Sequence, residues 1–193
     1  METSTIWKFI FELGQLRRIK HEGIRLIGVP NPESVAEHSL RAAQIGFVLA
    51  KMEGYANPAE VATMLVFHDI GECRIGDLHK VAARYVEADE MHAVQDQLAP
   101  LEDIGKEIFS LWNQVEEKNT QAGIIAKDAD YVEQAATAKE FMEQGFTMAQ
   151  DWITNTSRAV KTDSAKKLLG DILNMQSTDW WQGLKKIILD QPK

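Results

Sequence analysis

Apolar residues in this chain recur at three- and four-residue steps, and valine, isoleucine and threonine rarely alternate with polar residues over a strand-length run. That spacing lines one face of a helix and not one face of a strand. The expectation is therefore an all-α fold. A first helix is read over about 4–20, with Trp7, Ile10, Phe11 and Leu13 or Gly14 facing inward. Gly23, Gly28, Pro30 and Pro32 make 21–32 a loop. Ser34 and Glu37 stand in the S-x-x-E spacing of a capping box, so a second helix starts there and runs to about Met52, before Gly54. Pro58 opens a third at a first-turn position where a missing N–H costs little. It continues through Phe67, His68 and Asp69 to near Gly71.

Beyond a turn at 76–79, less regular helix is read over 81–97, broken at Pro100. Helices over 101–118 and 120–144 follow, the latter stopped by Gly145. Two short amphipathic helices, 163–174 and 178–189, end the pattern. In the second of these Trp181, Leu184, Ile187 and Ile188 face a core or a partner subunit. No repeat, low-complexity stretch or linker interrupts the chain. One domain over 1–193 is expected, with its motif-bearing part at about 16–144 and C-terminal helices at about 163–189.

Composition excludes several classes of function. The chain has 45% hydrophobic and 26% charged residues, an ordinary globular balance. No run approaches the roughly 18 apolar residues of a membrane span, and the first eight residues lack a signal-peptide layout. The single cysteine, Cys73, cannot form an internal disulfide. The expected setting is cytoplasmic, with no membrane partner. A net charge of −8 argues against nucleic acid as a partner. A small phosphorylated substrate stays open, because a bound cation and a few basic residues can reverse the field inside one pocket.

The five histidines are few enough to inspect one by one. His38 lies in the first turn of the second helix. His68 and Asp69 are adjacent at the end of the third, where a helix end lets neighbouring side chains turn toward one point despite the 100° between them. The apolar run Val61, Met64, Leu65, Val66 and Phe67 delivers that pair inward, where an unpaired carboxylate is costly and a cation removes the cost. Glu72 follows His68 at i+4, on roughly the same face.

The blocks "PESVAEHS", "FHDIGECRIGD" and "AKDADYVEQA" together resemble the H…HD…D signature of HD-domain phosphohydrolases, most closely the 5′-deoxynucleotidase subgroup. The resemblance covers about Leu16 to Gln144. It implies a helical HD-domain bundle in which His38, His68, Asp69 and Asp130 hold one divalent ion. Asp130 is preferred to Asp128 because the last block of the family runs K-x-x-D from Lys127. The two aspartates stand about 200° apart on a helix, and Asp128 is assigned to a solvated face. Imidazole with carboxylate suits Mn, Co, Fe or Zn, and Mg is possible though it prefers oxygen.

The same resemblance places Glu72 and Asp77 in the active site. Glu72 is assigned to the attacking water and Asp77 to the leaving sugar oxygen; otherwise these are a helix-end carboxylate and a turn residue. Arg18, Lys80 and Arg84 are the candidate phosphate contacts, although Arg17, Arg18 and Lys20 also suit a helix C-terminus without any ligand. The sequence departs from the family where a loop tryptophan is usual: Ile24 stands there, with Arg25 as the nearest basic residue, which leaves deoxy preference open. Trp112 is assigned to the core and Glu117 to a supporting position near the site. His21 is read as a loop residue.

The implied activity is hydrolysis of (deoxy)nucleoside 5′-monophosphates to nucleoside and phosphate, by a homodimer. One rival is a two-metal HD phosphodiesterase or oxygenase using His79 and His92. The other is a nucleotide sensor without turnover, for which Glu72 and Asp77 would have no use.

Overall fold

The computed structural model describes residues 1–184. Its helices are α1 (Thr3–Leu13), α2 (Glu22–Arg25), α3 (Val35–Met52), α4 (Pro58–Phe67), α5 (Glu72–Ile75), α6 (Glu90–Leu98), α7 (Glu102–Glu117), α8 (Gln121–Glu143), α9 (Gln150–Ala159), α10 (Asp163–Asp171) and α11 (Asp179–Gln182). Among the described residues there is no strand, only an isolated antiparallel bridge between Lys20 and Ser34. The fold is all-α. None of the described helices is long and apolar enough to cross a membrane.

α8 is the axis of the molecule. It packs against α3, α4, α7, α9 and α10, and its alanines 122, 126, 129, 135 and 138 are buried. Small side chains let several helices approach one rod closely, so α8 has no solvent stripe of the usual width. The main core joins it to Leu49 of α3, Met64 and Leu65 of α4, and Ile153 of α9.

α3 starts as its sequence dictates. Glu37 N–H donates to Ser34 Oγ at 3.3 Å, and Ser34 N–H donates to the Glu37 carboxylate at 2.7 Å. This capping box fixes the helix one turn before His38. α4 opens on Pro58 and ends at Phe67, one turn short of the expected stop. His68 is its C-cap and a tight turn carries the chain to α5.

Several expectations are corrected. The first helix ends at Leu13 and gives way to a 3-10 turn, Gly14–Arg17. Its inward face is Ile6, Phe9 and the expected Leu13, partly buried against a second cluster with Ile70, Leu98 and Trp112. Trp7, Ile10 and Phe11 are exposed; the expected face was about one residue, or 100°, out of register. The region 81–89 contains only a 3-10 turn, Ala82–Arg84. The expected loop at 21–32 holds the short α2. α9 was not anticipated at all. Of the expected final helix, residues 185–189 lie outside the described residues, including Ile187 and Ile188.

Candidate metal centre and its surroundings

Three elements bring four side chains to one point: α3 carries His38, the turn after α4 carries His68 and Asp69, and the middle of α8 carries Asp130. His38 Nε2 lies 3.3 Å from His68 Nε2, 3.3 Å from Asp130 Oδ1 and 3.6 Å from Asp69 Oδ2. His68 Nε2 is 3.2 Å from Asp69 Oδ2. His38, His68 and Asp130 are almost fully buried.

The outer nitrogens decide what the inner ones can do. His68 Nδ1 donates to the Leu65 carbonyl at 2.8 Å, and His38 Nδ1 to the Glu133 carboxylate at 2.5 Å. Oxygens of these kinds only accept, so both Nδ1 atoms carry the proton and both Nε2 atoms turn toward the common centre. Two imidazole nitrogens and two carboxylates facing one another make a donor set for a divalent first-row ion. The surroundings also demand positive charge. Burial opposes charge on His38, but its bonds to Asp130 and Glu133 outweigh burial and hold its pKa well above the ordinary value. Burial likewise opposes the Asp130 carboxylate, yet Lys127 and the two histidines keep it well below the usual range.

The supporting residues were largely missed. Glu133, wholly buried, also accepts from Arg41 Nε at 2.7 Å and from Thr137 Oγ1 at 2.9 Å. Arg41 continues to Glu140 at 2.9 Å. Gln134 Nε2 donates to Asp130 Oδ1 at 2.7 Å, and Lys127 Nζ reaches Asp130 Oδ2 at 2.9 Å. A usable signal existed: Glu133 and Gln134 follow Asp130 at i+3 and i+4, Lys127 precedes it by three, and Arg41 follows His38 by three, all same-face spacings. His21, read as a loop residue, packs beside His38, its ring tilted by 50° with centroids 4.4 Å apart. Its Nδ1 is 3.2 Å from Glu33.

Asp128 does not sit on a solvated face. It is buried, and it accepts from Lys161 N–H at 2.9 Å and from Thr162 N–H at 2.6 Å, tying α8 to the start of α10. Its carboxylate serves backbone donors on the other side of the helix from Asp130. Glu117 is exposed; it is Glu116 whose charge acts on Glu90 and Lys127.

Glu72 and Asp77 stand beside the cluster. Both line a cavity of about 390 Å³ that Glu90 also faces. Burial first, then Asp69, Asp77 and Glu90, push the Glu72 carboxyl up to about 10, and its Oε2 is buried without a hydrogen-bond partner. Burial also raises Asp77, against the opposing pull of His21 and of Glu22 N–H, which donates to Asp77 Oδ2 at 2.7 Å. A second cavity, about 410 Å³, shares Asp77 and runs along His21, Lys80, Gln134 and Trp152. Of the three candidate phosphate contacts only Lys80 lines it. Arg18 and Arg84 are exposed and line neither cavity. His79 Nδ1 accepts from Ala82 N–H at 3.1 Å, and His92 is exposed beside Asp89 and Asp96. Neither belongs to a metal-capable group among the described residues.

The family described as HD domain matches residues 13–170. A protein of Dictyostelium discoideum named 5′-deoxynucleotidase HDDC2 is 30% identical over 73% of this chain and 80% of its own length. The Homo sapiens protein of the same name is 26% identical over 91% and 88%. A genomics crystal structure superposes with a TM-score of 0.78 at 33% identity, covering 93% of this chain and all of its own.

Proposed function

The chain belongs to the HD domain family as a hydrolase, and on that premise we propose that it is a metal-dependent phosphohydrolase acting on nucleoside 5′-monophosphates, deoxy forms foremost. The observation that carries this reading is the pair of imidazoles whose outer nitrogens are tied to Leu65 and Glu133, so that their Nε2 atoms meet Asp69 and Asp130 at one buried point. The name of the relatives supports the substrate.

His38, His68, Asp69 and Asp130 would hold one ion, of Mn, Co, Fe, Zn or Mg. When bound, it supplies charge for the phosphoryl oxygens and makes water more acidic. The rest is done by the protein. Glu72, beside Asp69 and with its Oε2 buried without a hydrogen-bond partner, takes the proton of the attacking water. The water oxygen bonds to phosphorus as the bond from phosphorus to the sugar oxygen breaks, and that leaving oxygen takes a proton from the Asp77 carboxyl, which Glu22 N–H fixes. Lys80, on the wall of the 410 Å³ cavity, pairs with phosphate. A homodimer in the cytoplasm is part of the same proposal.

The test is a panel of ribo- and deoxynucleoside monophosphates against several divalent ions, reading phosphate release and metal content. Turnover with one ion per chain, abolished in Glu72→Ala while the ion stays bound, is expected. Two ions per chain would replace this reading with the two-metal rival. Tight nucleotide binding without turnover would make the protein a sensor.

A further inference from the structure

The 410 Å³ cavity begins where the metal centre ends. Gln134, on its wall, is the residue that donates to Asp130 Oδ1. Asp77 and His21 also line it, and the ring of His21 lies against that of His38. A phosphate held at the metal centre has this space beside it for the remainder of its molecule. The volume falls in the range of small-molecule sites.

The other walls differ in character. Trp152 of α9, Tyr131 of α8 and the buried Ile24 are apolar or aromatic. The indole packs on the main core, and its Nε1–Cζ2 edge lies beside Gly23, where a Cβ would stand 3.6 Å from Cζ2. It is thus held in place before any ligand arrives. Lys80 stands on the lining against three carboxylates, Glu33, Asp77 and Asp151, and that excess of negative charge disfavours a second phosphate. What fits is a flat, neutral ring. The exposed Asn155 at the edge offers both a donor and an acceptor, which suits the edge of any base and selects none strongly.

We infer that this cavity is the nucleoside slot and that Trp152 is the aromatic wall against which the nucleobase stacks, an inference that rests on the nucleotide reading given above. The slot separates nucleotides from simple sugar phosphates while tolerating different bases.

The experiment compares deoxyadenosine and thymidine 5′-monophosphates with base-free 2-deoxyribose 5-phosphate, in the wild type, Trp152→Ala and Trp152→Phe. Trp152→Ala should raise KM for both nucleotides about tenfold, within the range of base–aromatic stacking, with kcat within about twofold. It should leave kcat/KM for the base-free substrate within the same margin, and Trp152→Phe should recover most of the loss. An equal fall on all three substrates, or none, overturns the slot. Calorimetric binding of deoxyadenosine gives a readout without turnover, and its affinity should drop about tenfold in Trp152→Ala. Where Trp152→Ala fails to fold, Trp152→Phe and the wild-type comparison still decide. Wild type that cleaves nucleotides and deoxyribose 5-phosphate equally well, and binds no deoxyadenosine, loses the slot and keeps the phosphohydrolase. Wild type that cleaves no nucleotide loses the proposed function, while nucleoside binding still judges Trp152.

Discussion

Glu133 has no contact with solvent, yet it stays charged. Burial raises its carboxyl, and the His38 and Arg41 donors overcome that and bring it below its ordinary value. Its oxygens fix the ring of His38 and the proton on Nδ1, so the lone pair meant for a cation is already aimed. Glu133→Gln keeps the volume, loses the charge and can accept from only one of the two donors. Metal affinity should fall about tenfold or more, measured by calorimetric titration; unchanged affinity would show that Glu133 merely fills space. Glu90 works in the opposite direction. Burial, then Glu116 and Asp69, raise its carboxyl to about 7 from 4.5. The folded chain therefore holds a proton that the unfolded chain releases, and stability falls as pH climbs from about 4.5 through 7. In chelator-treated protein, Glu90→Gln should gain about 1–2 kcal/mol at pH 8 and little at pH 5, allowing for partial exposure. Urea unfolding at the two pH values reads this, and an equal gain at both would refute it. The histidines and Asp130 could be picked out of the sequence by type and spacing. Spacing alone puts Glu133 and Arg41 on the faces of Asp130 and His38, but their pairing with each other becomes visible only once α3 and α8 are packed together.

At the scale of elements, the legible parts are those with a local cause. Ser34 and Glu37 announce α3, Pro58 announces α4, and Gly145 lies just past the end of α8. α9 has no such cause. Gln150 opens it without a side-chain cap, and Ile153, Thr154 and Thr156 are β-branched residues of modest helix propensity. It is helical because Ile153 and Thr156 are buried in packing against α8, which is a tertiary reason. The α7–α8 corner shows how tightly such packing is set. A Cβ at Gly123 would stand 2.0 Å from the Gln114 carbonyl oxygen and 2.7 Å from its carbon, both backbone atoms. Gly123 N–H is also bound by the Thr120 cap at 3.0 Å, so neither side can yield cheaply. Gly123→Ala should destabilise the protein by about 2–3 kcal/mol, despite the better helix propensity of alanine. Because α8 carries Asp130, the same variant should weaken metal binding. Denaturant melts and metal titration read the two effects, and a neutral or stabilised variant would contradict the packing described.

Across the whole molecule, the site and the core depend on the same contacts. His38, the His68–Asp69 turn and Asp130 are distant in sequence, and only the packing of α3, α4 and α8 on one another brings them together. The unfolded chain offers no such cluster, so a cation that binds it binds the folded state almost alone. Around that cluster the chain collects carboxylates, Asp69, Glu72, Asp77, Glu90, Asp130 and Glu133, with Lys127 paired to Asp130 and Arg41 to Glu133. Like charges gathered in a partly buried region oppose folding, and a divalent ion relieves them. Binding and folding are therefore linked. At about a hundredfold excess over the dissociation constant the linkage is about 2.7 kcal/mol, which for a chain of this size raises Tm by about 5–10 °C. Differential scanning calorimetry in chelator and then in Mn²⁺ should show that rise. His38→Ala and Asp130→Asn should abolish it, while Asp103→Asn, on an exposed pair with Lys106, should retain it. A rise that persists in the two site variants would place the ion elsewhere on this acidic chain and remove the basis for the proposed chemistry.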